Sequence, residues 1–145
     1  MGFDKICLHP RADWYNTFMP SPRQRFGQQG ERWAAAYLQA QGYRVVARNV
    51  RTPYGEIDLI AQDDRGLVFV EVKARRGRGP FRPEDRVDAR KRRRLWAAAQ
   101  HWLAEHYTDA DEPPWRLDVI ALEWFGPGAP RVTHWQDIPW DDDAG

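Results

Sequence analysis

GEIDLIAQDDRGLVFVEVK, residues 55–73, sets the fold of this chain. Two strand-like runs, GEIDLIA and LVFVEVK, flank the turn-like DDRG, a pattern that predicts an antiparallel hairpin. Alternate strand residues share a face, so Leu67, Phe69, Glu71 and Lys73 point one way and Val68, Val70 and Val72 the other. With residues 63–66 as the loop and Gln62 facing Leu67, Asp58 falls across from Glu71 and Glu56 across from Lys73. Directly opposed side chains lie about 4.5–5.5 Å apart, where like charges destabilise the pair. Two compensations are open. Lys73, Glu56, Asp58 and Glu71 can satisfy one another as a polar patch, or a divalent cation can hold the acids. Mg²⁺ takes oxygen ligands from one or two carboxylates and completes its shell with water and phosphate.

Upstream, SPRQRFGQQGERWAAAYLQAQGY carries helix punctuation, with Ser21 as N-cap, Pro22 at the first helical position and Gly42 just past the end. Glu31 falls in the stripe of Ala34, Ala35 and Leu38, which should face the sheet. A carboxylate there is costly unless paired or bound to metal; the competing placement turns Glu31 to solvent over the sheet edge. Gly27, one turn earlier, leaves space beside it. YRVVARNV then predicts a strand leading into the hairpin.

Downstream, ARRGRGPFR reads as a basic loop, and Pro83, Glu84 and Asp85 supply the first turn of a second helix running to about His106. Val87, Lys91, Leu95, Ala98 and Trp102 share one stripe, so Lys91 either faces inward near the acids or snorkels to the surface. Trp96, Ala99 and Leu103 read as a second apolar stripe, which predicts a second covering layer, from the N-terminal extension or from the partner in a homodimer. After the breaker DADEPP, WRLDVIALEW and RVTHWQDI read as two more strands around FGPGAP. The predicted order is αβββαββ.

The 145 residues fit one domain, with residues 1–20 as an extension without a readable period, 21–140 as the domain and 141–145 as an acidic tail. The composition, 42% apolar and 30% charged, is globular, and no apolar run reaches the 18 residues of a membrane span. The first twenty residues lack the apolar core of a secretory signal, and the single Cys7 leaves neither an internal disulfide nor a zinc spacing, so a cytoplasmic protein is expected. The net charge of +1 hides a basic segment: Lys73 to Arg94 holds eleven Lys or Arg against three acids. That asymmetry suits a nucleic acid partner, and equally a solvated helix face.

A helix with GxxGE, an Asn followed by GEIDLI, then VFVEVKAR and a helix with a lysine together resemble the YraN-like family of bacterial proteins. That family is similar to the PD-(D/E)xK nuclease superfamily, which includes the archaeal Holliday junction resolvases. The resemblance covers about residues 26–122 and implies an α/β, restriction endonuclease-like fold with an αβββαβ core, a central mixed sheet flanked by helices. It implies Asp58 and Glu71 as metal-ligating acids with the Val72 carbonyl, Lys73 as the motif lysine, Glu31 as the helix carboxylate, and Mg²⁺ or Mn²⁺ as cofactor. Glu56 is a secondary candidate, and Ile57 stands where the motif name has Pro. The implied activity is phosphodiester hydrolysis in DNA, including branched or structured DNA, with Arg75, Arg76, Arg78, Arg82 and Lys91 expected to hold phosphates. Two other readings remain, a nucleic-acid-binding module without catalysis and a small interaction protein. Neither needs like-charged acids in a buried site.

Overall fold

The computed structural model describes residues 22–77 and 88–139. Its elements are α1 (Pro22–Ala40), β1 (Arg44–Thr52), β2 (Gly55–Asp63), β3 (Gly66–Arg76), α2 (Ala89–His106), β4 (Trp115–Trp124) and β5 (Arg131–Trp135). The five strands lie side by side in chain order. All neighbours are antiparallel except β3 and β4, which are parallel because α2 carries the chain back across the sheet between them. The result is an α/β fold with a mixed sheet between two helices, in the expected αβββαβ order with β5 added at one edge.

The end of α1 follows from its sequence. Gly42 takes φ 96°, its N–H donates to the Gln39 carbonyl at 3.0 Å, and the Tyr43 N–H donates to the Leu38 carbonyl at 2.9 Å. Leu38 and Tyr43 close this Schellman stop by joining the same apolar cluster. Ala34, Ala35 and Leu38 then pack α1 on Leu59, Val68, Val70 and Ile120. On the other face, Leu95, Ala98 and Trp102 of α2 pack on Ile60, Phe69 and Leu117. Phe69 meets Trp102 and Trp115 edge-on, with centroids 5.7 and 5.6 Å away, an arrangement favoured by the ring quadrupoles.

Gln62 faces Leu67 as expected, but Asp63 also pairs with Gly66, so the hairpin loop shrinks from residues 63–66 to Asp64 and Arg65. Gly66, at φ 137°, is required there, because a Cβ would sit 2.1 Å from the Pro114 carbonyl oxygen. That oxygen accepts the Leu67 N–H at 2.9 Å, tying the turn to the segment that leads into β4.

Three other expectations change or fall outside the described residues. The proposed first turn at Pro83, Glu84 and Asp85, and Val87 of the inner stripe, are outside them. As described, α2 starts at Ala89 behind Asp88, whose carboxylate caps the helix by accepting the Lys91 N–H at 2.9 Å. Ala99 and Leu103 do not form a second apolar side: they are fully buried with Leu95, Ala98 and Trp102 in one cluster, and Trp96 packs at its margin. At 100° per residue these positions span one broad face, and they join Ile60, Phe69 and Leu117 of the sheet in the same cluster. The extension at residues 1–20 and the tail at 141–145 lie outside the described residues. Among the described residues, no helix is long and apolar enough to cross a membrane.

Among the described residues, two acids are entirely buried, and both are paired. Glu123 accepts from Arg75 Nε at 2.8 Å and bonds Arg131. Asp118 accepts from Arg116 Nε at 3.0 Å and the Asp137 N–H at 2.9 Å, and lies 2.7 Å from His134 Nε2. The Tyr37 hydroxyl reaches the other ring nitrogen of His134 at 3.0 Å. Pairing of this kind is what lets a carboxylate stay inside a core.

Candidate active site

The site forms where β2 and β3 part. Their ladder ends at Leu59 opposite Val70, one position short of Asp58 and Glu71. Beyond that rung, Asp58 Oδ2 accepts the Val72 N–H at 2.8 Å, so a side chain stands where the ladder would otherwise supply a backbone carbonyl. The N–H and C=O of an extended residue point the same way, which turns the Val72 carbonyl toward the β2 side as well. Val72 lines the resulting cleft with Glu31, Asp58, Glu71 and Lys73.

Glu31 reaches these acids because α1 lies unusually close to the sheet. Gly30 is buried against β3, where a Cβ would come 2.8 Å from the Ala74 Cβ. Gly27, the glycine singled out from sequence, has open space above it and borders the cleft. From the other side comes Asn49 of β1, held at φ 52°, a left-handed conformation Asn tolerates better than most residues. With its amide oriented to donate, Asn49 bonds Glu31 Oε1 at 2.8 Å and Oε2 at 3.3 Å.

One oxygen from each of Glu31, Glu56 and Asp58 lies within 4.8 Å of the others. Glu71, only 9% exposed, completes the group, with its Oε2 3.0 Å from Lys91 Nζ of α2. The cleft has a volume of about 410 Å³, bordered by Phe26 and Gly27 in the second turn of α1 and by Lys91 in the first turn of α2. A second opening, of about 240 Å³, lies past Tyr54, Glu56 and Arg94 and shares Asp58, Glu71 and Lys91 with the first. Those three side chains therefore stand between two approaches.

So many carboxylates in this space cannot all stay charged unaided. Burial, and next the charge of Glu71, push Asp58 up to about 8 against the opposing pull of the Val72 N–H. Burial and then Glu56 raise Glu31 above the usual carboxylate range, opposed by the Asn49 amide. An all-oxygen donor set suits Mg²⁺ or Mn²⁺. One oxygen from each of three acids within 4.8 Å of the others is compatible with a shared oxygen-ligated dication. The residues present fit such an ion, and Glu71 can join them by releasing Lys91.

Sequence reasoning brought most of these residues into view, and the structure gathers Glu31, Glu56, Asp58, Glu71, Val72, Lys73 and Lys91 around one cleft. Glu56 does not lie across from Lys73. The parting of β2 from β3 leaves it opposite Arg51 of β1, with Arg51 Nε 3.6 Å from Glu56 Oε2. The expected phosphate-binding arginines divide. Arg75 is engaged by buried Glu123, Arg76 stacks over the Phe26 ring at 4.6 Å, and Arg78 and Arg82 lie outside the described residues. Gly30 and Asn49 were not assigned roles from sequence. Their signals were a glycine directly before Glu31 and an asparagine that interrupts a β-branched run.

Fold and site together define a mixed-sheet α/β protein with a carboxylate cluster at the parted ends of two inner strands. The chain belongs to the YraN-like family, described as Uncharacterised protein family UPF0102, which it matches over residues 30–122. It is 52% identical over 100 residues to the UPF0102 protein STH1475 of Symbiobacterium thermophilum, covering 69% of this chain and 83% of that protein. A UPF0102 protein of Syntrophotalea carbinolica is 43% identical over 125 residues, 81% of this chain and all of that protein. One from Roseiflexus castenholzii is 45% identical over 104 residues, 72% and 83% of the two chains. The matched segment contains every acid of the cluster together with Lys73 and Lys91.

Proposed function

We propose that this protein is a metal-dependent nuclease that hydrolyses phosphodiester bonds in DNA. The observation that carries this reading is the set of oxygens from Glu31, Glu56 and Asp58 within 4.8 Å of one another, with Glu71, Lys73 and Lys91 around the same cleft. Bound Mg²⁺ or Mn²⁺ supplies a Lewis acid for the phosphate and a bound water of lowered pKa.

The chain does the rest. Asp58, Glu71, Glu31 and the Val72 carbonyl would hold the ion, with Glu56 beside them, and Asp58, whose protonated form is favoured by burial and Glu71, would bind it as the carboxylate. Lys73 meets a phosphate oxygen and orients the attacking water. Lys91, once released from Glu71, is free to bond a second phosphate oxygen. The remaining basic residues contribute affinity without choice of sequence, so binding should fall steeply with salt.

Glu71→Ala is expected to abolish cleavage of single-stranded, duplex and branched DNA in Mg²⁺ while circular dichroism and melting report an intact fold. Undiminished cleavage by that variant would remove the assignment. The Glu71–Lys91 ion pair favours one other reading, a nucleic-acid-binding module without catalysis, because it occupies a ligand position. DNA binding without turnover in either Mg²⁺ or Mn²⁺ would select it.

A further inference from the structure

We infer that the aromatic pocket beside the acid cleft is a stacking subsite for an unpaired nucleobase of the substrate strand. This rests on nucleic acid being the substrate, as proposed above. The pocket, of about 570 Å³, is larger than the cleft and is walled by Phe26, Trp124 and Phe125, with Arg76 at its rim. Phe26 lines both spaces, so the two adjoin.

Its chemistry selects its occupant. Phe26 and Trp124 lie 5.2 Å apart at 59°, and the Arg76 guanidinium stacks 4.6 Å over Phe26. Phe125 is 53% exposed, large for an aromatic side chain, and the Arg131 guanidinium lies 4.9 Å over its ring. Among the described residues, no acid lines this pocket. An apolar peptide would gain from the rings but would have to desolvate the Arg76 guanidinium. A nucleotide uses both features, with a flat base for the rings and phosphate for the cation. The loop beneath leaves room, since Cβ atoms at Gly126 and Gly128 would meet nothing within 4 Å.

Position supplies the link to the cleft. Ala74, which lines the cleft, and Arg76, which lines the pocket, are two residues apart on β3, about 7 Å along the strand. A base held in the pocket therefore belongs to a nucleotide near the phosphate at the acids. In a blunt duplex every base is paired inside the helix, so the subsite favours single strands, flaps and branch points.

The test is DNA binding in EDTA, where no cleavage occurs, followed by fluorescence anisotropy. The probes are a labelled oligothymidylate, an abasic strand of equal length and charge, and a blunt duplex. Phe125→Ala should weaken binding of the oligothymidylate roughly 5- to 10-fold and leave the duplex within twofold, while Phe125→Tyr keeps the affinity. The unmodified protein should bind the abasic strand about as weakly as Phe125→Ala binds the oligothymidylate. Equal binding of abasic and intact strands, or an equal loss on duplex and single strand, would overturn the stacking subsite and leave the nuclease reading standing. Absence of binding to all three probes would overturn both. Base-dependent binding by a protein that never cleaves would support the subsite and remove only the catalysis.

Discussion

Lys91 Nζ lies 3.0 Å from Glu71 Oε2, so α2 lends the acid cluster the positive charge that a cation would otherwise bring. Lys91 is about half exposed, and a pair of that kind contributes at most about 1 kcal/mol. Lys91→Ala should therefore leave stability nearly unchanged while freeing Glu71, raising Mn²⁺ affinity about fivefold, the equivalent of about 1 kcal/mol. Isothermal titration reads the change, and an unaltered affinity would show that Glu71 is not a ligand.

Asp58 carries the pH dependence. Its native pKa, raised to about 8 by burial and the neighbouring acids, lies far above the unfolded value of about 3.9. Between those values the native state binds more protons than the unfolded one, so metal-free stability should fall as pH rises from about 4 to about 8 and level off above. Asp58→Asn removes that slope while keeping an oxygen for the Val72 N–H. It should melt higher than the unmodified protein at pH 8 and at nearly the same temperature at pH 4.5, as measured in EDTA.

A dication should stabilise the fold by mass action, by about 2.7 kcal/mol at a hundred times its Kd. Mn²⁺ competes with the proton on Asp58, so the rise in Tm should be larger at pH 8 than at pH 5. Joint replacement of Glu31 and Glu56 by Gln should abolish most of the shift, which thermal melting with and without Mn²⁺ would show.

The two helix glycines should behave oppositely. Gly30→Ala places a Cβ 2.8 Å from that of Ala74 and should cost about 1–3 kcal/mol through overpacking. Gly27→Ala enters open space and should stabilise the helix by up to about 1 kcal/mol. Urea midpoints of the two variants decide this.

Asp118→Ala leaves Arg116 and His134 without their shared buried partner, which should cost about 3–5 kcal/mol in urea unfolding. The carboxylate cluster is untouched, so cation affinity measured on the folded variant should be unchanged.

The hairpin register was legible because a turn signal and strict alternation leave little freedom, and Gln62 does face Leu67. Glu31 was legible as a charge on an otherwise buried stripe. The choice between Gly27 and Gly30 was not, since both suit a helix and only the position of Ala74 on β3 separates them. Nor was the breadth of α2's buried face: the sequence pattern places Ala99 and Leu103 on a separate side, and the structure gathers them with Leu95, Ala98 and Trp102 in one cluster. Charge counting likewise does not reveal that Arg75 is engaged by buried Glu123, because an arginine bonded to a buried acid and one exposed to phosphate look the same in sequence. That distinction depends on a strand more than forty residues downstream.

The cleft is bordered by α1 along Phe26, Gly27 and Glu31 and by the first turn of α2 at Lys91. The partly positive start of the α2 backbone dipole therefore lies beside the acids and offsets some of the repulsion. The cavity is consequently shaped by main chain as well as by side chains. Unlike a zinc finger, which collapses only around its metal, this scaffold is built on apolar clusters packed on both faces of its sheet, and its purified apoprotein should be a stable species that awaits loading.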